Sequence, residues 1–197
     1  MARTVDPERH EARRLAIIDA ALTVFAERGY DGATTAAICR GAGIGSGTFF
    51  HYFPTKLDLL LAILTLGTAE AREAAGLYAD RTDPLGVLLD IVAKGADEAA
   101  DPRMPGFVRA VAGVMRVPEV AEALEEDTRA QRDLLLAWVE RAQRAGEIRT
   151  DLNPYRITSW LYLLTDGFLG RIADEETFTA QAEKATLVDT ARRFLSP

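Results

Sequence analysis

The sequence predicts an all-α chain of about nine helices, with a three-helix N-terminal domain over residues 1–54 joined to a helical C-terminal domain over residues 55–197. Three observations carry this prediction. Apolar residues recur at spacings of three and four along most of the chain, which lines one face of a helix. Caps and breakers separate these stretches: Asp6-Pro7, Asp83-Pro84 and Asn153-Pro154 read as helix starts, and Gly29 and Gly146 as helix ends. Neither the alternation of a strand nor an internal repeat occurs.

In chain order, Asp6 and Pro7 open a helix whose Leu15, Ile18, Leu22 and Phe25 share one apolar face, and Gly29 closes it with Tyr30 just beyond. Residues 1–6 are expected to form a flexible arm. Thr34 can cap a short helix carried by Ala36 to Arg40, because its hydroxyl can accept a bond from a first-turn amide, and Ile38 then faces inward. Gly41-Ala42-Gly43 stops that helix, since glycine takes positive φ without penalty, and Ile44 can plug the angle to the next one. A second short helix spans roughly 45–53. Pro54 ends it by restricting the residue before it, and Thr55-Lys56-Leu57-Asp58 reads as a capping box. Leu57, Leu60, Leu61, Leu64, Ala71 and Ala75 then continue at helical spacing, so one long helix should run from Thr55 to about Leu77 and join the two domains.

Asp83-Pro84 starts a helix carrying Leu85, Leu88, Leu89 and Val92, which ends in an acidic stretch, Asp97 to Asp101, expected to be solvated. Pro102, Pro105 and Gly106 should break the chain before a helix over Phe107 to Val117. Pro118 opens a long helix from Glu119 to Ala145, ended by Gly146. The next runs from about Tyr155 to Ala173, and the last from about Phe178 to Leu195.

Two short helices joined by a glycine turn form the helix-turn-helix pattern, whose second helix enters the DNA major groove. Thr34-Thr35, Ala42-Gly43-Ile44, Gly47-Thr48, His51-Tyr52-Phe53 and Lys56 stand in one register that closely resembles the N-terminal domain of TetR-family transcriptional regulators, from about Arg13 to Leu64. The remainder resembles that family only in its helical plan. The chemistry of Gly45-Ser46-Gly47, unpaired amides without bulky side chains, favours close approach of a phosphate. The resemblance implies that Thr35, Thr48, Tyr52 and Lys56 grip phosphates or line the groove, while Ala36 and Ser46 to Phe50 can face base edges. With Thr34, Gly45, Gly47 and His51 these form the candidate DNA-binding set. His51 reads as structural or as a phosphate neighbour. Against the family pattern, Gly45 replaces the usual Ser or Thr cap, Ser46 replaces a longer polar residue, and Phe50 replaces a common Tyr, removing a phosphate-binding hydroxyl. Ala36, Thr48 and Phe49 or Phe50 could contact thymine methyl groups, one phenylalanine serving the core.

The net charge of −7 is unevenly spread. Residues 1–56 hold seven Lys/Arg against six Asp/Glu, and the rest sixteen against twenty-four. An acidic body behind a slightly basic head orients the head toward phosphate and suppresses non-specific binding. The absence of a long apolar run or a signal-peptide core predicts a cytoplasmic protein with no membrane partner. The single Cys39 reads as a small buried hydrophobe, the rival being a redox-sensing thiol. His10 and His51 are the only histidines, and no HExxH, Glu-x-x-His, nucleophile–base pair or GxxxxGK loop occurs, so no metal, cofactor or catalytic site is expected.

The segment Ile157 to Ile172 is apolar nearly all round and needs cover on two sides. Leu161, with Leu187, Val188, Ala191, Phe194 and Leu195 of the last helix, is expected to build a homodimer interface through a four-helix bundle, in agreement with the family. Phe107, Val111, Met115, Leu134, Trp138, Trp160, Leu164 and Phe168 are candidates to line an apolar cavity, joined by Met104. Thr165, Asp166, Arg109 and Tyr162 are candidate polar contacts. Asp166 stands out because a carboxylate inside WLYLLTDGFLG needs a partner or solvent. The expected function is a ligand-responsive regulator, most simply a repressor released from a palindromic double-stranded DNA operator by a small, largely apolar effector. The alternatives are a regulator answering to a protein partner or to no ligand and, remotely, an all-helical enzyme.

Overall fold

The computed structural model describes residues 7–197, apart from the side chains at positions 70, 71, 74 and 75. The Asp6 cap, the arm over residues 1–6 and the placement of the Ala71 and Ala75 side chains lie outside the described residues. Among those described, the chain forms nine helices and no strand: α1 (Pro7–Gly32), α2 (Thr35–Gly41), α3 (Ser46–Tyr52), α4 (Lys56–Leu77), α5 (Pro84–Glu98), α6 (Met104–Ala112), α7 (Pro118–Ala145), α8 (Pro154–Asp174) and α9 (Ala180–Leu195).

Local chemistry sets the head as the sequence predicts. The regular helix of α1 is interrupted at Gly29, where φ is 67°. The Thr34 hydroxyl accepts from the Ala37 amide at 3.2 Å. Gly43 takes φ 62°, which turns the chain so that the Ile44 amide can donate to the Cys39 carbonyl at 2.9 Å. Both halves of the Thr55–Asp58 capping box form, the Thr55 amide donating to Asp58 at 2.9 Å and the Asp58 amide to the Thr55 hydroxyl at 3.0 Å.

Two apolar clusters hold the molecule. In the first, Ile17, Ile18, Ala21 and Phe25 of α1 pack on Ile38, Phe49, Phe53, Leu59 and Leu60, and are joined by Phe107 and Val111 of α6. Leu15 falls off this face and is 40% exposed, because the buried stripe of α1 is centred on Ile17, Ala21 and Val24 instead. Cys39 is a buried free thiol within the cluster. The second cluster joins Val87, Leu88 and Val92 of α5 to Trp138 and Val139 of α7, Ile157 and Leu161 of α8, and Leu187, Ala191 and Leu195 of α9.

Three expectations for the body are corrected. Leu161, Leu187, Ala191 and Leu195, expected at a dimer interface, are buried inside the chain's own core. Val188 and Phe194 pack partly against the same core. The sixth helix begins at Met104 and ends at Ala112, because Pro105 fits a first-turn position, where its missing amide is no loss. Gly106 lies inside it, and a Cβ there would come 2.2 Å from the Ala26 carbonyl oxygen, so glycine permits α6 to sit directly on α1. The acidic stretch is engaged rather than simply solvated: Asp97 accepts from Lys184 at 2.5 Å, and Asp101 from the Arg103 guanidinium at 2.7 Å.

Candidate DNA-binding face and internal cavity

α3 is seven residues long, with its inner side fixed by the fully buried Phe49. The opposite side presents Ser46, Gly47, Thr48, Phe50 and His51 outward, Phe50 being 52% exposed, which decides between the two phenylalanines. Gly45 caps α3 with no side-chain bond, leaving first-turn amides without an internal acceptor. From α2, Thr34 and Ala36 are exposed beside this surface and Thr35 is half-buried. Tyr52 stacks at 4.5 Å on His10 of α1, which also meets the His51 ring edge at 6.1 Å. This stack ties the end of α3 to the start of α1, a contact across more than forty residues that no local pattern announces.

Lys56 departs from its expected role. Its ammonium donates to the Tyr30 carbonyl at 2.6 Å and the Ala33 carbonyl at 2.9 Å, and lies 4.2 Å from the Tyr30 ring centroid. Two of three donors are thus directed into the protein, where they hold the end of α1 and the start of α2 against α4. Arg14 pairs with Glu11 at 3.2 Å and lies 5.9 Å from the Phe53 ring centroid, so it is partly committed as well.

Beneath the head, a cavity of about 550 Å³ opens between six helices. α1 contributes Ile18 and Leu22, α4 contributes Ile63, Leu64 and Leu66, and α6 contributes Met104 and Phe107. The remaining wall includes Tyr78, Ile91, Leu124, Asp127, Gln131, Leu134 and Thr165. A cleft of about 500 Å³ along Arg72, Glu126 and Arg129 is lined by exposed, paired charges instead.

The sequence-predicted lining set separates. Met104, Phe107, Leu134 and Thr165 reach the cavity. Val111 belongs to the head-side core, and Leu164, Trp138 and Phe168 to the body core, where Trp138 meets Tyr78 edge-on at 6.4 Å and Phe168 meets Phe178 at 5.5 Å. Met115 is 53% exposed in the turn after α6. Trp160 and Asp166 lie on the outer stripe of α8, since successive helical residues turn by about 100° and Thr165 takes the inward position. Asp166 therefore meets the need for solvent that its sequence context raised. Arg109 donates to the Ala173 carbonyl, and the Tyr162 hydroxyl pairs with Thr128 at 3.1 Å, so neither faces the cavity.

Asp127 was not singled out by sequence, because within EEDTRAQ it looks like one more solvated charge. Its Oδ1 accepts from the Thr68 hydroxyl at 3.0 Å and its Oδ2 from the Gln131 amide at 2.7 Å. Burial pushes its carboxyl above the usual range, and these two bonds only partly oppose the shift. Arg103, also on the wall, connects the cavity to the head: it binds Asp101 and reaches Asp19 of α1 at 2.7 Å and the Thr23 hydroxyl at 3.2 Å. Among the described residues no group of three His, Cys, Asp or Glu side chains is placed to hold a metal ion, and no single helix is long and apolar enough to cross a membrane.

An all-helical chain with a helix-turn-helix head, an outward recognition helix and a cavity beneath it defines a DNA-binding transcriptional regulator. The family model for bacterial regulatory proteins of the tetR family matches residues 17–63. It is 28% identical over 163 residues to the HTH-type transcriptional regulator UidR of Escherichia coli K12, covering 83% of each chain. It is 28% identical over 196 residues to the HTH-type transcriptional repressor Rv1474c of Mycobacterium tuberculosis, covering 92% of this chain and 94% of that one. Among solved structures, Salmonella enterica GusR superposes with a TM-score of 0.72 at 26% identity, covering 93% of this chain and 95% of GusR.

Proposed function

We propose that this chain is a ligand-responsive repressor that acts in the cytoplasm as a homodimer on a palindromic operator and is released by a small molecule entering the cavity. The head comprises residues 1–54 and the body residues 55–197, with no catalytic step assigned to either. One observation carries the reading: the cavity takes part of its wall from the head's own support, Ile18 and Leu22 of α1, and from the first half of α4. A molecule there presses on the elements that aim α3. It weakens operator binding to the extent that it binds better when the two heads are misplaced.

A dimer supplies the second head and places two recognition helices about one DNA turn, roughly 34 Å, apart. The surface offered for it is the outward stripe of α8, where Trp160 and Leu163 are 47% and 52% exposed. The test begins by sequencing genomic fragments retained by the purified protein, which identifies the operator. Compounds that raise the melting temperature are then added to a gel shift on that DNA. They are expected to weaken the complex; if compounds that bind the body never change operator affinity, the reading is wrong.

A further inference from the structure

The cavity wall carries three carboxylates, Glu98, Asp101 and Asp127, against two cations, Lys94 and Arg103. Lys94 is ion-paired with Glu98, and Arg103 with Asp101. That leaves the charge on Asp127. Its two oxygens are held by neutral donors, Thr68 and Gln131, and no described Lys or Arg forms an ion pair with it. Arg72, whose charge reaches Asp127, is bonded to Glu126 at 2.6 Å. The Thr68 hydroxyl is shared between Asp127 and the Leu64 carbonyl at 3.2 Å, so a single hydrogen serves two acceptors and the carboxylate retains accepting capacity.

Around this one uncompensated charge the wall is apolar and aromatic. Ile63, Leu64 and Leu134 can cover a hydrocarbon body, and the wall also holds two aromatic residues, Tyr78 and Phe107, of the kind that attract a cation. An anion would meet the opposite situation. It would have to break the Lys94–Glu98 or Arg103–Asp101 pair and lie in the field of Asp127, at a cost that grows as water is excluded.

We infer that the cavity takes a monocationic amphiphile, an organic amine or ammonium with an apolar body, whose positive charge is met by the Asp127 carboxylate. The inference rests on the reading of this cavity as the effector site. Gln131 is a positioning residue, its amide fixing Oδ2 while the shared Thr68 hydroxyl leaves the carboxylate capacity to accept from a ligand.

The test uses the full-length protein and three probes that share a tail, decyltrimethylammonium, decanol and decanoate, each below its micelle concentration and titrated by calorimetry. The ammonium is expected to bind at least about tenfold tighter than the alcohol, and decanoate more weakly than either. Asp127→Asn should reduce the ammonium to the affinity of the alcohol while leaving alcohol binding and cooperative unfolding intact. Glu122→Gln, exposed on α7 and outside the cavity, should leave the order unchanged. Equal binding of ammonium and alcohol, tighter binding of decanoate, a preference that survives Asp127→Asn, or no binding of any probe would overturn the inference. A gel shift separates this from the function proposed above. An ammonium that binds through Asp127 without altering operator affinity leaves charge recognition standing and removes the effector reading; release by decanol or decanoate but not by the ammonium does the reverse.

Discussion

At the scale of single residues, the turn and cap chemistry of the head was legible because each partner lies within a few positions: Thr34 with Ala37, Thr55 with Asp58, Gly43 before Ile44. Lys56 shows where that legibility ends. Its partners, the carbonyls of Tyr30 and Ala33, lie more than twenty residues upstream, and a lysine in a DNA-binding motif reads most simply as a phosphate ligand. The two roles separate by experiment. Lys56→Ala is expected to lower stability by about 2 kcal/mol, the size of charge-assisted bonds lost from a half-buried site. It should also weaken operator binding by loosening the α1–α2 junction. The salt dependence of binding should stay as in the parent protein, whereas loss of a phosphate contact would reduce the log–log slope by about 0.9. Urea unfolding and gel shifts at several salt concentrations measure both.

At the scale of elements, all nine helices were legible, since periodicity and punctuation are local properties. The face each helix turns to its neighbours was less so. α8 is apolar on both of its sides, so its sequence gives no preference for which side enters the body; the packing of Leu161 and Ile157 against α5, α7 and α9 decides it. Pro105 and Gly106 misled for a related reason, because a breaker and a helix opener are the same residues until the neighbouring α1 backbone is known. The register of α8 makes a paired prediction. Leu161→Ala removes a fully buried side chain and is expected to destabilise the protomer by about 2–5 kcal/mol. Leu163→Arg sits on the exposed stripe and is expected to leave protomer folding nearly unchanged while dissociating the proposed dimer, which sedimentation equilibrium would read. A Leu163→Arg protein that stays dimeric at micromolar concentration would move the interface away from this stripe.

At the scale of the whole molecule, the head and body meet at the cavity, and two carboxylates on its wall respond to pH in opposite senses. The Arg103 guanidinium holds the Asp101 carboxyl below its usual range. The stability Asp101 contributes is therefore present above the unfolded carboxylate pKa and is lost as pH falls through the lowered folded value. Asp127 is raised by burial, with the nearby Glu98 adding to the shift. The fold binds its proton more tightly than the unfolded chain does. Ionisation of Asp127 therefore costs nothing below the unfolded pKa, an increasing amount as pH rises to the folded value, and a constant amount above it. Asp127→Asn should accordingly raise the melting temperature at neutral pH, with a gain that fades as pH falls through the ordinary carboxylate range. Asp101→Asn should lower the melting temperature at neutral pH, with a loss that fades only in more acid solution. Thermal unfolding of both variants from neutral to acid pH gives the two curves. A gain for Asp127→Asn that persists unchanged into acid would assign it to packing and remove the charge argument. A gain that fades, combined with loss of ammonium binding, would mean that the fold keeps a destabilising charge under its DNA-binding head, which is the pattern expected where a group is held for recognition rather than for stability.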